Sequence, residues 1–160
     1  MEKKEKQLTT NEVIQKIEYY CCYQDRCYKE TKQKLKELYA TEEEINVILI
    51  HLIENNYINE ERFACSFTRG KHFYKNWGRI RIKQELKFRD ISTSNISLAL
   101  KEIENGYEER FYEYAIKKWE NITEIDKNKK RNKFISQLSY KGYESSLIFN
   151  FLEDIENKKV

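Results

Sequence analysis

The chain has 160 residues and a formal net charge of +3, and its aliphatic and aromatic residues, 39% of the total, are numerous enough to bury a core. This composition favours a folded chain over a disordered one, and so small a charge does not identify a nucleic-acid-binding protein unless the basic residues cluster on one face. Proline is absent and glycine occurs only four times, so helix is predicted throughout.

No targeting signal is predicted from the first twenty residues. Charged residues interrupt every apolar stretch among the first twenty residues, and the sequence has no run of about 18 apolar residues. We therefore expect a cytoplasmic protein that does not bind membranes. Residues 1–8 and 158–160 are predicted to be disordered.

The sequence repeats one helical unit three times. Three aliphatic positions, separated by ten and then seven residues, recur with a period of 51 and then 52 residues: Leu35, Ile45 and Leu52; Leu86, Ile96 and Ile103; Leu138, Ile148 and Ile155. The letters EERF at 60–63 recur at 108–111, which marks the start of equivalent helices. A chance coincidence of common helix residues is the alternative interpretation.

Each unit is predicted to contain three helices. They lie at 10–22, 26–39 and 42–55 in the first unit (9–58), at 60–74, 79–88 and 93–105 in the second (59–106), and at 108–121, 127–139 and 144–156 in the third (107–157). Thr41 with Glu44 forms a capping-box pattern, Ser92 is a good N-cap, and Gly142 breaks the chain before the last helix. The predicted fold is all-α, an elongated tandem array of three three-helix repeats.

Basic residues concentrate between positions 69 and 89 and again near position 130. In the helix at 79–88, Arg79, Lys83 and Lys87 are four residues apart and so project from one face. Such a row suits phosphate oxygens or an acidic protein groove, and the alternative is a solvated helix face. The candidate residues for binding a partner or DNA are Arg69, Lys71, Lys75, Trp77, Arg79, Arg81, Lys83, Lys87, Arg89, Lys129, Lys130 and Arg131.

Aromatic residues interleave with these cations at Phe73, Tyr74 and Trp77. They can stack on unpaired bases, or they can pack beneath the aliphatic stems of the basic side chains. Both uses are open at this stage.

Catalytic and metal-binding patterns are missing from the sequence. The four cysteines include no Cys-x-x-Cys pair, the two histidines are far apart, and the glycines are scattered singly. Cys65 and His72 could share a helix face, but no third group that would orient the histidine is evident. We therefore expect free thiols, no metal, no cofactor and no enzymatic activity.

The segment YINEERFA at 57–64 begins a longer pattern, which continues at 66–67, 69–71, 77–79, 81–82, 85–86 and 91. This pattern resembles the central signature of the RecX family of regulatory proteins. Residues 25–35 are similar to the first-unit pattern of the family, and the last third of the chain resembles it only in periodicity and in Arg110-Phe111. The letters WGR at 77–79 stand where many members have a Gly-Pro step.

The resemblance implies a negative regulator of the RecA recombinase that acts in DNA repair, recombination and the SOS response. It implies binding in the helical groove of the RecA–ssDNA filament, possible direct contact with single-stranded DNA, and inhibition of ATP hydrolysis and strand exchange. We expect the chain to act as a monomer. Two other functions stay open: a helical module that binds DNA or RNA without any recombinase, and a protein scaffold with no role at nucleic acid.

Overall fold

The computed structural model describes residues 8–157 of the chain. Over this range it contains nine α-helices and no strand, so the predicted all-α class is confirmed. The helices are α1 (Thr10–Tyr23), α2 (Tyr28–Glu37), α3 (Glu42–Glu54), α4 (Glu60–Lys75), α5 (Arg79–Phe88), α6 (Thr93–Lys101), α7 (Tyr107–Asn121), α8 (Lys127–Lys141) and α9 (Ser145–Asn157). The segments predicted to be disordered lie outside the described residues, except that Leu8 packs against the first core.

The capping residues predicted from the sequence begin the expected helices. The side chain of Thr41 accepts a hydrogen bond from the backbone N–H of Glu44, whose carboxylate in turn accepts the backbone N–H of Thr41. Ser92 caps α6 through the backbone N–H of Asn95, and Gly142 ends α8 with φ +86°. These three predictions are confirmed.

Two helices are shorter than the sequence predicts by several residues. Helix α2 begins at Tyr28 and not at residue 26, because Cys27 is extended, and it ends before Tyr39, which has a left-handed φ of 59°. Helix α6 ends at Lys101 and not at residue 105, and a series of turns leads to Gly106. Neither boundary could be read from the apolar spacing, which continues past both ends.

The helices pack in three consecutive groups of three, α1–α3, α4–α6 and α7–α9. The first group has a core of its own, built from Val13, Ile17, Cys21, Leu35, Ile45, Ile48, Leu49, Leu52 and Ile58. The second and third groups share one continuous core, to which the aromatic residues Tyr107, Phe111, Phe134 and Phe151 contribute. The aliphatic triplets that define the sequence repeat are buried, apart from the partly buried Ile155.

Candidate binding edge

The second helix of the third group runs end-on into the second helix of the second group. The backbone N–H of Gly78 donates to the carbonyl of Lys141 at 2.8 Å, and that of Ile80 donates to the carbonyl of Gly142 at 3.0 Å. Carbonyls at the C-terminus of α8 therefore satisfy N–H groups at the N-terminus of α5. The approach is so close that a Cβ atom on Gly78 would lie 2.2 Å from the carbonyl oxygen of Gly142.

Side-chain contacts join the C-terminus of α5 to the N-terminus of α2. The Nζ atom of Lys29 donates to the carbonyl of Phe88 at 2.6 Å and pairs with Asp90 at 3.1 Å, while Arg89 pairs with Glu30 at 3.1 Å. The C-terminus of α8 thus meets the N-terminus of α5, and the C-terminus of α5 meets the N-terminus of α2. We call the surface formed by α8, α5 and α2 the binding edge.

Two lysines at the middle of this edge are exposed and unpaired. Lys83 and Lys87 project from α5 while Ile82 and Leu86 of the same helix are buried, as the spacing predicts. Neither lysine forms an ion pair with any carboxylate between residues 8 and 157. They are the candidates most available to an incoming polyanion.

Arg79, the third member of the predicted row, is held by its own fold. Its guanidinium lies 3.8 Å from the ring centre of Tyr107 and 3.8 Å from Glu144. The hydroxyl of Tyr107 accepts the backbone N–H of Arg79 at 3.0 Å and donates to Glu144 at 2.8 Å. Burial raises the pKa of Tyr107 well above its usual value, so this phenol stays protonated and keeps donating.

A buried histidine supports the same junction from the other side. His72, which is 1% exposed, stacks on Tyr107 with ring centres 5.3 Å apart, and its Nδ1 atom bonds to the carbonyl of Trp77 at 2.9 Å. Burial lowers the pKa of His72, and the charges of Arg110 and Arg79 lower it further. A neutral ring that donates from Nδ1–H therefore holds the turn before α5.

Besides Arg79, which pairs with Glu144, three of the predicted candidates are neutralised by acids. Arg69 pairs with Glu102, Arg131 with Glu156, and Arg89 with both Glu30 and Glu85. Arg89 also lies over the ring of Phe67 within its own helix group, and its pair with Glu30 on α2 joins the first two groups. The sequence showed the basic bias but not these partners, which come from other helices in all but one case.

Other candidates lie on aromatic rings. Lys71 lies 5.2 Å from the ring centre of Phe67 and 5.1 Å from that of Trp77, and Lys130 lies 4.7 Å from Trp119. Trp77 is itself partly buried against the core, so it packs beneath cations in this structure. Lys75 and Lys129 are exposed, and Arg81 lies over the rings of Trp77 and Tyr140.

The first group adds little free positive charge to the edge. Lys32 and Lys36 both pair with Glu42, at 3.9 Å and 3.2 Å, and Lys34 pairs with Glu37 at 3.0 Å. Helix α2 therefore has several cations, but their charge is largely compensated.

Within residues 8–157, no group of three or more histidine, cysteine or acidic side chains could hold a metal ion. No helix in the described part of the chain is long and apolar enough to cross a membrane.

Comparison with known proteins identifies the middle group. A sequence model described as "RecX, second three-helix domain" matches residues 59–100. The Regulatory protein RecX of Vibrio campbellii is 33% identical over 114 residues, which cover 71% of this chain and 72% of that protein. The Regulatory protein RecX of Clostridioides difficile is 30% identical over 132 residues, or 80% of this chain and 62% of that protein, so this chain spans less than two thirds of its length.

Solved structures agree in fold. A crystal structure of regulatory protein RecX superposes with a TM-score of 0.75 at 25% identity, covering 90% of this chain and 73% of that one. RecX from Lactobacillus salivarius superposes with a TM-score of 0.72 at 23% identity, covering 92% and 96%. The central sequence pattern, the three groups of three helices and these similarities agree, and the chain belongs to the RecX family of regulatory proteins.

Proposed function

We propose that this chain is a non-enzymatic negative regulator of the RecA recombinase. It binds along the groove of the RecA–ssDNA filament, inhibits ATP hydrolysis and strand exchange, and acts in the cytoplasm as a monomer during DNA repair, recombination and the SOS response. Membership of a family of regulatory proteins supports this role. The units 9–58, 59–106 and 107–157 serve as successive binding units.

The end-to-end alignment of α8, α5 and α2 is the observation on which the proposal rests. Three helices that meet at their ends expose the unpaired cations Lys129 on α8 and Lys83 and Lys87 on α5. Such an arrangement fits a long polyanionic partner better than a small molecule. The predicted candidates with acidic partners, Arg69, Arg79, Arg89 and Arg131, are assigned to the fold.

The mechanism follows from the length of the array. If successive helix groups contact adjacent filament subunits, binding favours whichever subunit arrangement fits the array best. An arrangement unsuited to nucleotide turnover then accumulates, and ATP hydrolysis falls without any catalytic group on this chain.

The test is an ATPase assay on preformed RecA filaments, with increasing amounts of the full chain. We expect hydrolysis to fall to a plateau, and the double variant Lys83→Ala/Lys87→Ala to require more protein for the same inhibition. The double variant Lys16→Ala/Lys101→Ala provides the control. Both lysines are exposed and unpaired but lie on α1 and α6, and we call them the control lysines. No inhibition at saturating protein rejects the proposal.

A gel shift with bare and RecA-coated single strands separates the two nucleic-acid functions. A regulator of the filament binds the coated strand more tightly. A stand-alone nucleic-acid module prefers the bare strand and leaves hydrolysis unchanged.

A further inference from the structure

Four basic residues, one each on α4, α5, α7 and α8, lie near one another at the C-terminus of α8. They are Lys75, Arg81, Lys118 and Lys141, which we call the cationic junction. The Nζ atom of Lys141 donates to the carbonyl of Lys75 at 2.9 Å, and Arg81 donates to the carbonyl of Tyr140 at 3.1 Å. None of the four pairs with a carboxylate of residues 8–157.

The positive charges of three of these residues act on the fourth, Lys141. The pKa of Lys141 is lowered first by its burial and then by the charges of Lys118, Arg81 and Lys75. Helix-terminal carbonyls offset part of this repulsion, but each contacts only one of the N–H groups of its cation. An anion placed among the remaining N–H groups would relieve the rest.

An exposed aromatic ring adjoins the cluster. The guanidinium of Arg81 lies between two rings, 4.0 Å from the centre of Trp77 and 4.5 Å from that of Tyr140. Tyr140 nevertheless remains 72% exposed. A ring held from one side and open to solvent is a suitable platform for an unpaired base, which stacks on aromatic side chains without regard to its identity.

The other junction of the binding edge lacks this character. Between α5 and α2, Lys29 pairs with Asp90 and Arg89 pairs with Glu30. End-to-end packing of helices therefore does not itself require uncompensated charge. The excess at the cationic junction needs a separate explanation.

We propose that the cationic junction binds a backbone phosphate of single-stranded DNA and that Tyr140 stacks on an adjoining base. This inference rests on the proposed function, in which the filament contains single-stranded DNA. It adds Lys118, Lys141 and Tyr140 to the binding edge. Clustered cations alone would equally suit an acidic protein segment, and the open ring favours nucleic acid.

The first experiment measures binding of the full chain to a fluorescent oligothymidylate over a range of salt concentrations. Lys118→Gln is the preferred variant, because Lys141 also satisfies a helix-terminal carbonyl and its loss could disturb the fold. We expect the slope of log affinity against log salt to become shallower by about 0.7, the value for one phosphate contact on a single strand. Lys16→Gln, on the distant helix α1, should leave the slope unchanged.

The second experiment compares the oligothymidylate with an abasic strand that has the same number of phosphates. Tyr140→Ala should weaken binding to the base-containing strand about 5-fold or more, without changing the salt slope, and should not affect the abasic strand. Tyr23→Ala is the matched control, since Tyr23 is 76% exposed but lies on α1. Circular dichroism confirms that each variant is folded.

An unchanged slope for Lys118→Gln, or equal losses on both strands for Tyr140→Ala, overturns the inference. So does competition by polyglutamate with no binding of the oligothymidylate, which assigns the cluster to an acidic protein partner. The filament ATPase assay is independent of these readouts. Inhibition of hydrolysis without these DNA effects rejects the inference and keeps the proposed function, whereas the DNA effects without inhibition reject the proposed function.

Discussion

Replacing Gly78 by alanine tests the junction on which the binding edge depends. Gly78 has an ordinary φ of −81°, so the substitution introduces no backbone strain of its own. The added methyl group would lie 2.2 Å from the carbonyl oxygen of Gly142 and 2.6 Å from the backbone nitrogen of Tyr143. These neighbours are backbone atoms that cannot rotate away, so α5 and α8 must separate.

The cost follows from the contacts that separation breaks. Two backbone hydrogen bonds join the helices, from Gly78 to Lys141 and from Ile80 to Gly142. Their loss costs about 1–3 kcal/mol in total, at roughly 0.5–1.5 kcal/mol each. Displacing a packed segment adds about 1–3 kcal/mol. The free energy of unfolding should therefore fall by about 2–6 kcal/mol, and the melting temperature by at least roughly 4 °C.

Gly70→Ala is the matched control. Gly70 lies inside α4, and a Cβ atom there would meet no other atom within 4 Å. Alanine should stabilise that helix by about 0.5–1 kcal/mol. Urea unfolding, followed by circular dichroism, measures both variants. If Gly78→Ala is as stable as the unsubstituted protein, the end-to-end contact of α8 with α5 is wrong.

Three further predictions concern side chains on α4, on α5 and just after α5. In Lys83→Ala/Lys87→Ala, the slope of log affinity for the filament against log salt, measured by anisotropy, should become shallower by up to about 1.4. An equally large change of slope in the variant of the control lysines would contradict this prediction. Arg89→Ala should lower the free energy of unfolding by about 2–4 kcal/mol, because it leaves the part-buried Glu30 unpaired. Urea unfolding measures this loss, and Lys87→Ala, the control, should leave the free energy of unfolding unchanged. Stability should fall as pH drops below about 6.5, because the pKa of His72 is lowered in the folded protein and the unfolded chain takes up the proton first. His72→Asn, which keeps a hydrogen-bond donor, should make the melting temperature depend less on pH between pH 7 and 5. If the melting temperature of this variant depends on pH as strongly as that of the unsubstituted protein, His72 is not the source.

Local patterns in the sequence predict local structure well in this chain. The capping box of Thr41 and Glu44 begins α3 where expected, and the spacing of Ile82 and Leu86 distinguishes the buried face of α5 from the exposed one. Both depend on residues within one or two helical turns. The resemblance to the RecX family, which rested on residues 57–91, is confirmed by the match to residues 59–100.

Long-range contacts are what the sequence could not supply. Lys141 lies 66 residues from the carbonyl that it contacts, and Tyr140 lies 59 residues from Arg81. Nothing in the spacing of α8 distinguishes these two residues from other residues at the end of a helix. Their roles exist only because α8 stops against α5, and that contact depends on two glycines that look like ordinary helix breaks.

Lys87 and Arg89, two residues apart, show why a count of basic residues overestimates a binding surface. Lys87 is exposed on the last turn of α5. Arg89 follows the helix and pairs both with Glu85 on α5 and with Glu30 on α2 of the first helix group. A charge that already has a carboxylate gains little from a phosphate, because binding must first break the existing pair. Charges without such a partner gain the full interaction. The binding surface that we propose is therefore made of unpaired cations that lie together on α5, on α8 and at the cationic junction, and not of every basic residue in the segment.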